Sequence, residues 1–352
     1  APSAEGRLSR SGSQLMAAIF AIRGLCFNGG MPSTKELRQG DPLAGRLTDA
    51  LPVIEASSLL DKTPDAERAA ALAIRNACLQ TGFFYVRNSF QESGADTRLL
   101  TQMKHFFELP DNDSRKQAVS GALNENGVGW TPPGGESAYQ PGTIAHVESF
   151  DFARMSDATN LWPDLDEFRR DVTNYWNVVA AIGSAILERL ALAVGLDRTF
   201  FVDRCRTEEL NTLRLLHYPE SNIGGDETNV GISAHTDFEC LSLLYQTGPG
   251  LELTDVNGNW YDTPATDGGL FVFIDDMLET WTNGLLKATG HRVRHTSERR
   301  FSIVMFMAVD DGVTVQPQSE FDGISMPGTY PPVRQRAHIK AEMARARANT
   351  GV

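Results

Sequence analysis

Cysteine is scarce in this chain: its 352 residues include four, Cys26, Cys78, Cys205 and Cys240. Their spacing pairs none of them, which argues against a disulfide framework and against a cysteine-built zinc site. A basic excess is also missing. Lys and Arg total 32 against 45 Asp and Glu, a formal charge of −13, so neither nucleic acid nor an anionic membrane surface is expected as a partner. The apolar run Leu15 to Ile22 is too short to cross a bilayer. No internal repeat is evident. The composition left by these absences fits a cytoplasmic protein with reduced thiols, apolar enough to build a large core, acting as a monomer or weak homo-oligomer.

Four stretches differ in pattern. Residues 1–48 are rich in Ser, Gly and Arg; residues 1–30 read as a presequence or a non-native extension, with Met31 as a natural start, and are set aside. Residues 49–205 are expected to be helix-rich. Apolar positions recur at helical spacing in Asp65 to Leu79, and in Phe168, Val172, Trp176, Val179, Ile182, Ile186 and Leu190. The second pattern predicts a long helix bracing a sheet. Between them, Gly127 to Thr143 is dense in Gly and Pro, which predicts a substrate-covering loop. Residues 206–316 alternate short β-rich runs with turn signals such as Gly248-Pro-Gly and Asn257-Gly-Asn, the rhythm of an antiparallel sandwich or barrel. Residues 317–352 read as a tail whose charged helix, Arg334 to Ala348, either packs over the barrel mouth or lies on the surface, the surface being the default.

The chemistry concentrates in His235-Thr236-Asp237 and, much later, His291. Residues i and i+2 of a strand project from one face, so His235 and Asp237 can address one metal from one strand while a second strand adds an imidazole. Two imidazoles and a carboxylate leave the opposite side of the metal open, the arrangement of non-haem Fe(II) oxygenases. His295 shares a strand face with His291 and competes for the third position. Farther along, Arg300 and Ser302 fall on one face of the strand Phe301-Ser-Ile-Val-Met-Phe-Met, and a guanidinium fork there matches a carboxylate. Arg214 and Tyr218 share a face of their own strand. His217 points the other way and is read as structural.

Several segments, in order, resemble one family. Ser233-Ala-His-Thr-Asp, Gly290-His-Arg-Val, Arg300-Phe-Ser and Leu213-Arg-Leu-Leu-His-Tyr-Pro look like the isopenicillin N synthase-like branch of the Fe(II)/2-oxoglutarate dioxygenases. Upstream, Leu51-Pro-Val-Ile-Glu, Ala77-Cys-Leu-Gln-Thr-Gly-Phe-Phe-Tyr-Val, Phe106-Phe-Glu-Leu-Pro and Glu148-Ser-Phe-Asp are similar to the same family. The resemblance implies a mixed α+β, mainly β fold: a double-stranded β-helix, or jelly roll, braced by helices. It also selects His291 over His295, making His235, Asp237 and His291 the iron ligands. Arg300, Ser302 and Tyr218 are implied to hold the distal carboxylate of 2-oxoglutarate. Fe(II), 2-oxoglutarate and O2, with ascorbate as a stimulant, would then serve the oxygenation of a small-molecule metabolite, releasing succinate and CO2.

Three other readings compete. The same branch contains oxidases that dispense with 2-oxoglutarate and turn the Arg-x-Ser pair to a substrate carboxylate. A zinc or manganese hydrolase or isomerase fits the triad chemically, but needs a general base, for which Glu239 is poorly directed. A jelly-roll binding protein without turnover is the third, against which the intact triad argues. For the substrate pocket, Phe238, Leu243, Phe273, Met305 and Phe306 are candidates, each also an ordinary core residue. Cys240 reads as a small buried apolar residue.

Overall fold

The computed structural model describes residues 45–46, 51–123, 127–136, 138–222 and 228–350. The extension expected over residues 1–30 lies outside the described residues. In chain order, β1 (Gly45–Arg46) and β2 (Val53–Glu55) precede α1 (Ala56–Leu60), α2 (Pro64–Gln80), β3 (Phe83–Arg87), α3 (Ala95–Phe107) and α4 (Ser114–Gln117). Next come β4 (Gly129–Thr131), β5 (Ile144–Ala145), β6 (Glu148–Phe152) and the long α5 (Phe168–Ala193). The remainder is β7 (Thr212–Tyr218), β8 (Asn229–His235), β9 (Leu241–Gln246), β10 (Leu251–Thr254), β11 (Trp260–Asp262), β12 (Leu270–Ile274), α6 (Asp276–Trp281), β13 (His291–Arg294), β14 (Arg300–Met307), β15 (Thr314–Val315), β16 (Val333–Arg334) and α7 (Gln335–Thr350).

Two sheets face each other. The larger runs β2-β3-β12-β9-β14-β7-β6-β4 and the smaller β1-β11-β10-β13-β8-β5, the two layers of a jelly roll. Alternation along the strands sorts residues to its two faces. Leu216, Tyr218, Leu244, Phe271, Phe273 and Val304 of the larger sheet meet Ile232, Leu251, Leu253 and Val293 of the smaller in an inner cluster. Leu213, Leu215, Leu243, Ile303, Met305 and Met307 turn outward into a second cluster formed with the helices. Leu243 and Met305, two of the pocket candidates, are thereby corrected to outer core; Phe273 and Phe306 face inward. Strands from the helix-rich stretch, β2, β3, β4 and β6, extend the larger sheet on both sides.

The spacing of Phe168, Val172, Trp176, Val179, Ile186 and Leu190 puts all six on buried positions of α5, the apolar stripe that a core helix needs. The helix is long and apolar enough to cross a membrane by composition, but its apolar stripe is spent against α2, α3 and the outer sheet face. It ends in a Schellman motif: Gly195 has φ +83°, its N–H donates to Leu192 O and the N–H of Leu196 to Ala191 O. Gly183 lets α5 approach the sheet, since a Cβ there would collide with Met307 Sδ and lie 3.4 Å from Leu243 Cδ1. Gly183→Ala therefore forces Met307 out of its place, and thermal or denaturant unfolding should register a loss of about 1–3 kcal/mol.

Two features outside the jelly roll emerge only in three dimensions. The C-terminal helix was expected on the surface, yet α7 closes over the loop after β8: Gln335 Nε2 donates to Phe238 O (2.7 Å), His338 Nε2 lies 2.7 Å from Asp276 Oδ2, and Asn349 Nδ2 donates to Tyr139 O (3.2 Å). Amphipathic patterning is too weak in this charged helix to have shown a docked face. Two of the cysteines come close in space: the free, buried thiols of Cys205 and Cys240 lie 3.7 Å apart, within S–H···S hydrogen-bond reach.

Candidate metal centre

His235 is the last residue of β8, and across the antiparallel pair β8/β13 it stands directly opposite His291, the first residue of β13. Asp237 lies just beyond the strand end, in the loop to β9. The expectation that His235 and Asp237 share one regular strand is thus corrected by one step: the backbone turns after His235, and the carboxylate comes back over the two rings. Asp237 Oδ1 is 3.4 Å from His235 Nε2 and 3.5 Å from His291 Nε2. One donor atom from each of the three residues lies within 4.8 Å of the others, and all three residues are buried.

Backbone carbonyls fix which ring nitrogen is available. His235 Nδ1 lies 2.8 Å from Ser233 O and His291 Nδ1 3.1 Å from Thr289 O. Each carbonyl holds a proton on Nδ1 and leaves Nε2 as a lone-pair donor aimed at the centre, the outer support typical of metal-bound histidine. Burial, partly opposed by Asp237, lowers the His291 pKa to about 4. Burial works against ionisation of Asp237, but the charge of His291 and hydrogen bonds from His235 and Ser242 outweigh it and bring its pKa to about 2. At neutral pH both groups stand in the form a metal ion takes, without proton loss.

Ser242, on the inner face of β9, donates to Asp237 Oδ2 and lies 3.1 Å from Asp275 Oδ2. One hydroxyl has one proton. Burial and the charge of Asp237 raise the pKa of Asp275, which favours a carboxylic acid that donates a hydrogen bond to Ser242 Oγ while Ser242 donates its own to the ionised Asp237. Glu239 is pushed up to about 8, first by burial and then by Asp237. Neither Ser242 nor Asp275 was singled out in the sequence; alternation along β9 was the available signal for Ser242, and none existed for Asp275. Because the folded pKa of Glu239 exceeds its ordinary 4.5, the metal-free fold is destabilised as pH rises from about 4.5 to about 8, by a few kcal/mol in all. Glu239→Gln removes that loss: its melting temperature should exceed that of the parent increasingly from pH 5 to 8, and the gap should level off above.

Behind the centre, three buried polar atoms point into the jelly roll without hydrogen-bond partners: Tyr218 Oη, Arg300 Nη1 and Ser302 Oγ. Register explains their convergence. Arg300 pairs with Tyr218 across β14/β7, and Ser302 with Leu216 and Gln246. The Arg300 guanidinium lies 4.6 Å over the Tyr218 ring, its Nε donates to Gly248 O at 3.3 Å, and its Nη2 donates to Gln246 Oε1. Gln246 was missed in the sequence. Its amide is itself held by Thr263 Oγ1 (2.9 Å) and Pro264 O (2.6 Å), so the fork is aimed before any anion arrives. Burial raises the Tyr218 pKa against the opposing charge of Arg300, which keeps the hydroxyl a neutral donor. A buried cation and two hydroxyls free to donate, with no carboxylate of the chain among them, fit a carboxylate. The two imidazoles and the carboxylate of the triad likewise fit Fe(II).

His295 takes no part. It packs against His146, with ring centroids 4.9 Å apart, outside the triad. His217 is structural, as expected: Nδ1 lies 2.7 Å from Glu148 Oε1 and the ring stacks on Phe301. The glycine-rich loop crosses the metal centre. Tyr139 stacks on His235 at 4.0 Å and 8°, the amides of Tyr139 and Gln140 donate to Ser233 Oγ, and Gln140 Nε2 donates to Ala234 O. Phe238 closes against Tyr139, and Phe273 lies 4.8 Å from the His291 ring.

Comparison with known proteins agrees with this geometry. Residues 210–309 match the model of the 2OG-Fe(II) oxygenase superfamily, and residues 51–165 match the N-terminal model of the non-haem dioxygenases in morphine synthesis. A 2-oxoglutarate-dependent dioxygenase of Didymella fabae is 30% identical over 278 residues, 72% of this chain and 82% of that protein. A 2-oxoglutarate-Fe(II) type oxidoreductase of Aspergillus fumigatus is 27% identical over 80% of this chain and 88% of its own. Among solved structures, a 2OG-Fe(II) oxygenase family protein from Caulobacter crescentus superposes with a TM-score of 0.71 at 24% identity, covering 84% of this chain and 99% of that one, which supports the jelly-roll fold. The chain belongs to the 2OG-Fe(II) oxygenase superfamily and is an iron- and 2-oxoglutarate-dependent oxygenase.

Proposed function

We propose that His235, Asp237 and His291 hold the Fe(II) and that Arg300, Ser302 and Tyr218 bind the distal carboxylate of 2-oxoglutarate, in an enzyme that oxygenates a small metabolite. The observation that carries the reading is the pairing of two features in one interior: a buried His-Asp-His group and, beside it, three unpartnered donors. When bound, Fe(II) with 2-oxoglutarate and O2 supplies the oxidising chemistry, with release of succinate and CO2. The chain supplies the rest. Ser233 O and Thr289 O keep both Nε2 atoms turned to the metal, and Ser242 fixes the rotation of the Asp237 carboxylate. Arg300 meets the cosubstrate's carboxylate with a fork already oriented by Gln246, so little ordering remains for the moment of binding. Tyr139, Phe238 and Phe273 cover the centre with aromatic surface and exclude water, which limits side reactions.

The same reading assigns residues 206–316 as the oxygenase core, 49–205 as its framework and 317–352 as the tail, in a cytoplasmic enzyme that is a monomer or weak homo-oligomer. Anaerobic addition of 2-oxoglutarate to the Fe(II)-loaded protein tests it. The expected result is a saturable visible absorption band, followed by slow succinate release when oxygen is admitted without a primary substrate. Bound iron with no band and no succinate would sink the cosubstrate assignment and favour the oxidase reading.

A further inference from the structure

Arg214 is a half-buried cation that the iron and 2-oxoglutarate assignments leave unused. It shares the inner face of β7 with Leu216 and Tyr218, opposite Val304 on β14 and Asp151 on β6. Four residues of strand separate it from Tyr218 by roughly 13 Å, so Arg214 cannot serve the anchor at Arg300. Asp151 takes two of its N–H groups as a bidentate pair, from Nε at 2.7 Å and Nη2 at 3.0 Å. A third, on Nη1, goes to Glu136 Oε1 at 3.1 Å. The guanidinium has five N–H donors, and 18% of the side chain stays accessible although it sits inside the jelly roll.

Glu136 reaches Arg214 from the glycine-rich loop, and its carboxylate is only 6% exposed. That loop is fastened to β8 through Tyr139 and Gln140. The Glu136 side chain takes no part in the fastening: its other contact is a long one, 3.5 Å, from Ser149 Oγ. Two carboxylates on one guanidinium leave one negative charge in excess in an interior that penalises it. A bidentate Arg–Asp pair is complete and neutral without Glu136, and Glu136 fills the third side as an outside carboxylate would.

We infer that Arg214, seated on Asp151, anchors a carboxylate of the primary substrate, and that Glu136 holds that place in the substrate-free enzyme. The exchange is charge for charge: the incoming carboxylate replaces that of Glu136, Nη1 keeps an acceptor, and the net charge of the interior is unchanged. The substrate class is therefore a small carboxylic acid, oxidised at a carbon held over the triad by its anchored end. This rests on the function proposed above, because it takes the Arg300 anchor to be filled by 2-oxoglutarate.

The test uses protein loaded with Mn(II) and the unreactive 2-oxoglutarate analogue N-oxalylglycine, titrated calorimetrically with propionate, propionamide and ethylammonium at constant ionic strength. Propionate should bind and propionamide bind at least about tenfold more weakly, while Glu136→Gln should tighten propionate about tenfold by removing its competitor. Arg214→Gln in an Asp151→Asn, Glu136→Gln background, which leaves no lone charge among the three, should abolish the propionate binding that Glu136→Gln shows, while N-oxalylglycine affinity stays within about twofold. Propionate binding indifferent to both changes, or absent from both parent and Glu136→Gln, overturns the inference. Ethylammonium binding that Glu136→Gln removes overturns it too, since Glu136 would then be the partner of a cationic substrate. Failure of N-oxalylglycine to bind the metal-loaded protein instead counts against the cosubstrate assignment, and the propionate comparison can still be read by itself.

Discussion

Asp237→Ala is expected to abolish Fe(II)-dependent succinate release, and His235→Ala to do the same. Asp237 brings the only negative charge of the triad, with Oδ1 3.4 and 3.5 Å from the two Nε2 atoms and Oδ2 accepting from Ser242. Without it, two neutral imidazoles face a dication, and Asp275, which reaches Asp237 only through Ser242, is not placed to replace the lost carboxylate. Changes one layer outside a metal's ligands already cost roughly 10–100-fold, so removal of a ligand should exceed about a hundredfold and take the iron with it. Iron content after dialysis, read beside succinate release, ties the loss to the metal. His295→Ala is the control, because His295 packs on His146 away from the triad; it should keep both iron and turnover. Full activity in either ligand variant would show that the triad has been misassigned.

The parts of this site that were legible in the sequence are those governed by short-range rules. Alternation put Arg300 with Ser302, and Arg214 with Tyr218, on single faces, and the register of β14 against β7 and β9 unites them inside the jelly roll. Helical spacing located α2 and α5 to within a few residues. What escaped depends on distance along the chain. That His291 lies directly opposite His235 follows from pairing across β8/β13, which no local pattern encodes. Likewise Leu243 and Phe273 are both apolar residues on buried strands, and only the side to which each sheet turns sends Leu243 to the helices and Phe273 to the metal. Asp275 and Gln246 were invisible because each acts through a partner, Ser242 or Arg300, whose own role had to be placed first. The docking of α7 is of the same kind: it is held by three polar side chains, Gln335 on the loop after β8, His338 on Asp276 of α6 and Asn349 on Tyr139 of the glycine-rich loop, with no apolar stripe to announce it.

Arg300→Ala is expected to raise the 2-oxoglutarate concentration needed for half-maximal rate far more than it lowers the rate at saturation. The residue is 2% exposed, so the carboxylate it meets is buried as well, and a buried carboxylate deprived of its cation costs about 2–5 kcal/mol. That range corresponds to at least about a thirtyfold rise in the cosubstrate requirement. The effect should fall on binding because Arg300 stands behind the triad, at the far end of β14 from Phe306, and does not touch the metal ligands. Arg300→Lys should recover part of the loss, since it restores the charge without the fork that Gln246 Oε1 and Gly248 O orient. Ser302→Ala, which removes one neutral donor, should cost less than either, on the order of 1 kcal/mol. An unchanged 2-oxoglutarate dependence in Arg300→Ala, with the primary substrate weakened in its place, would transfer Arg300 to the substrate. Arg214 would then have no separate anchor to complement, so titrating the two arginine variants side by side with both ligands decides which carboxylate each one holds.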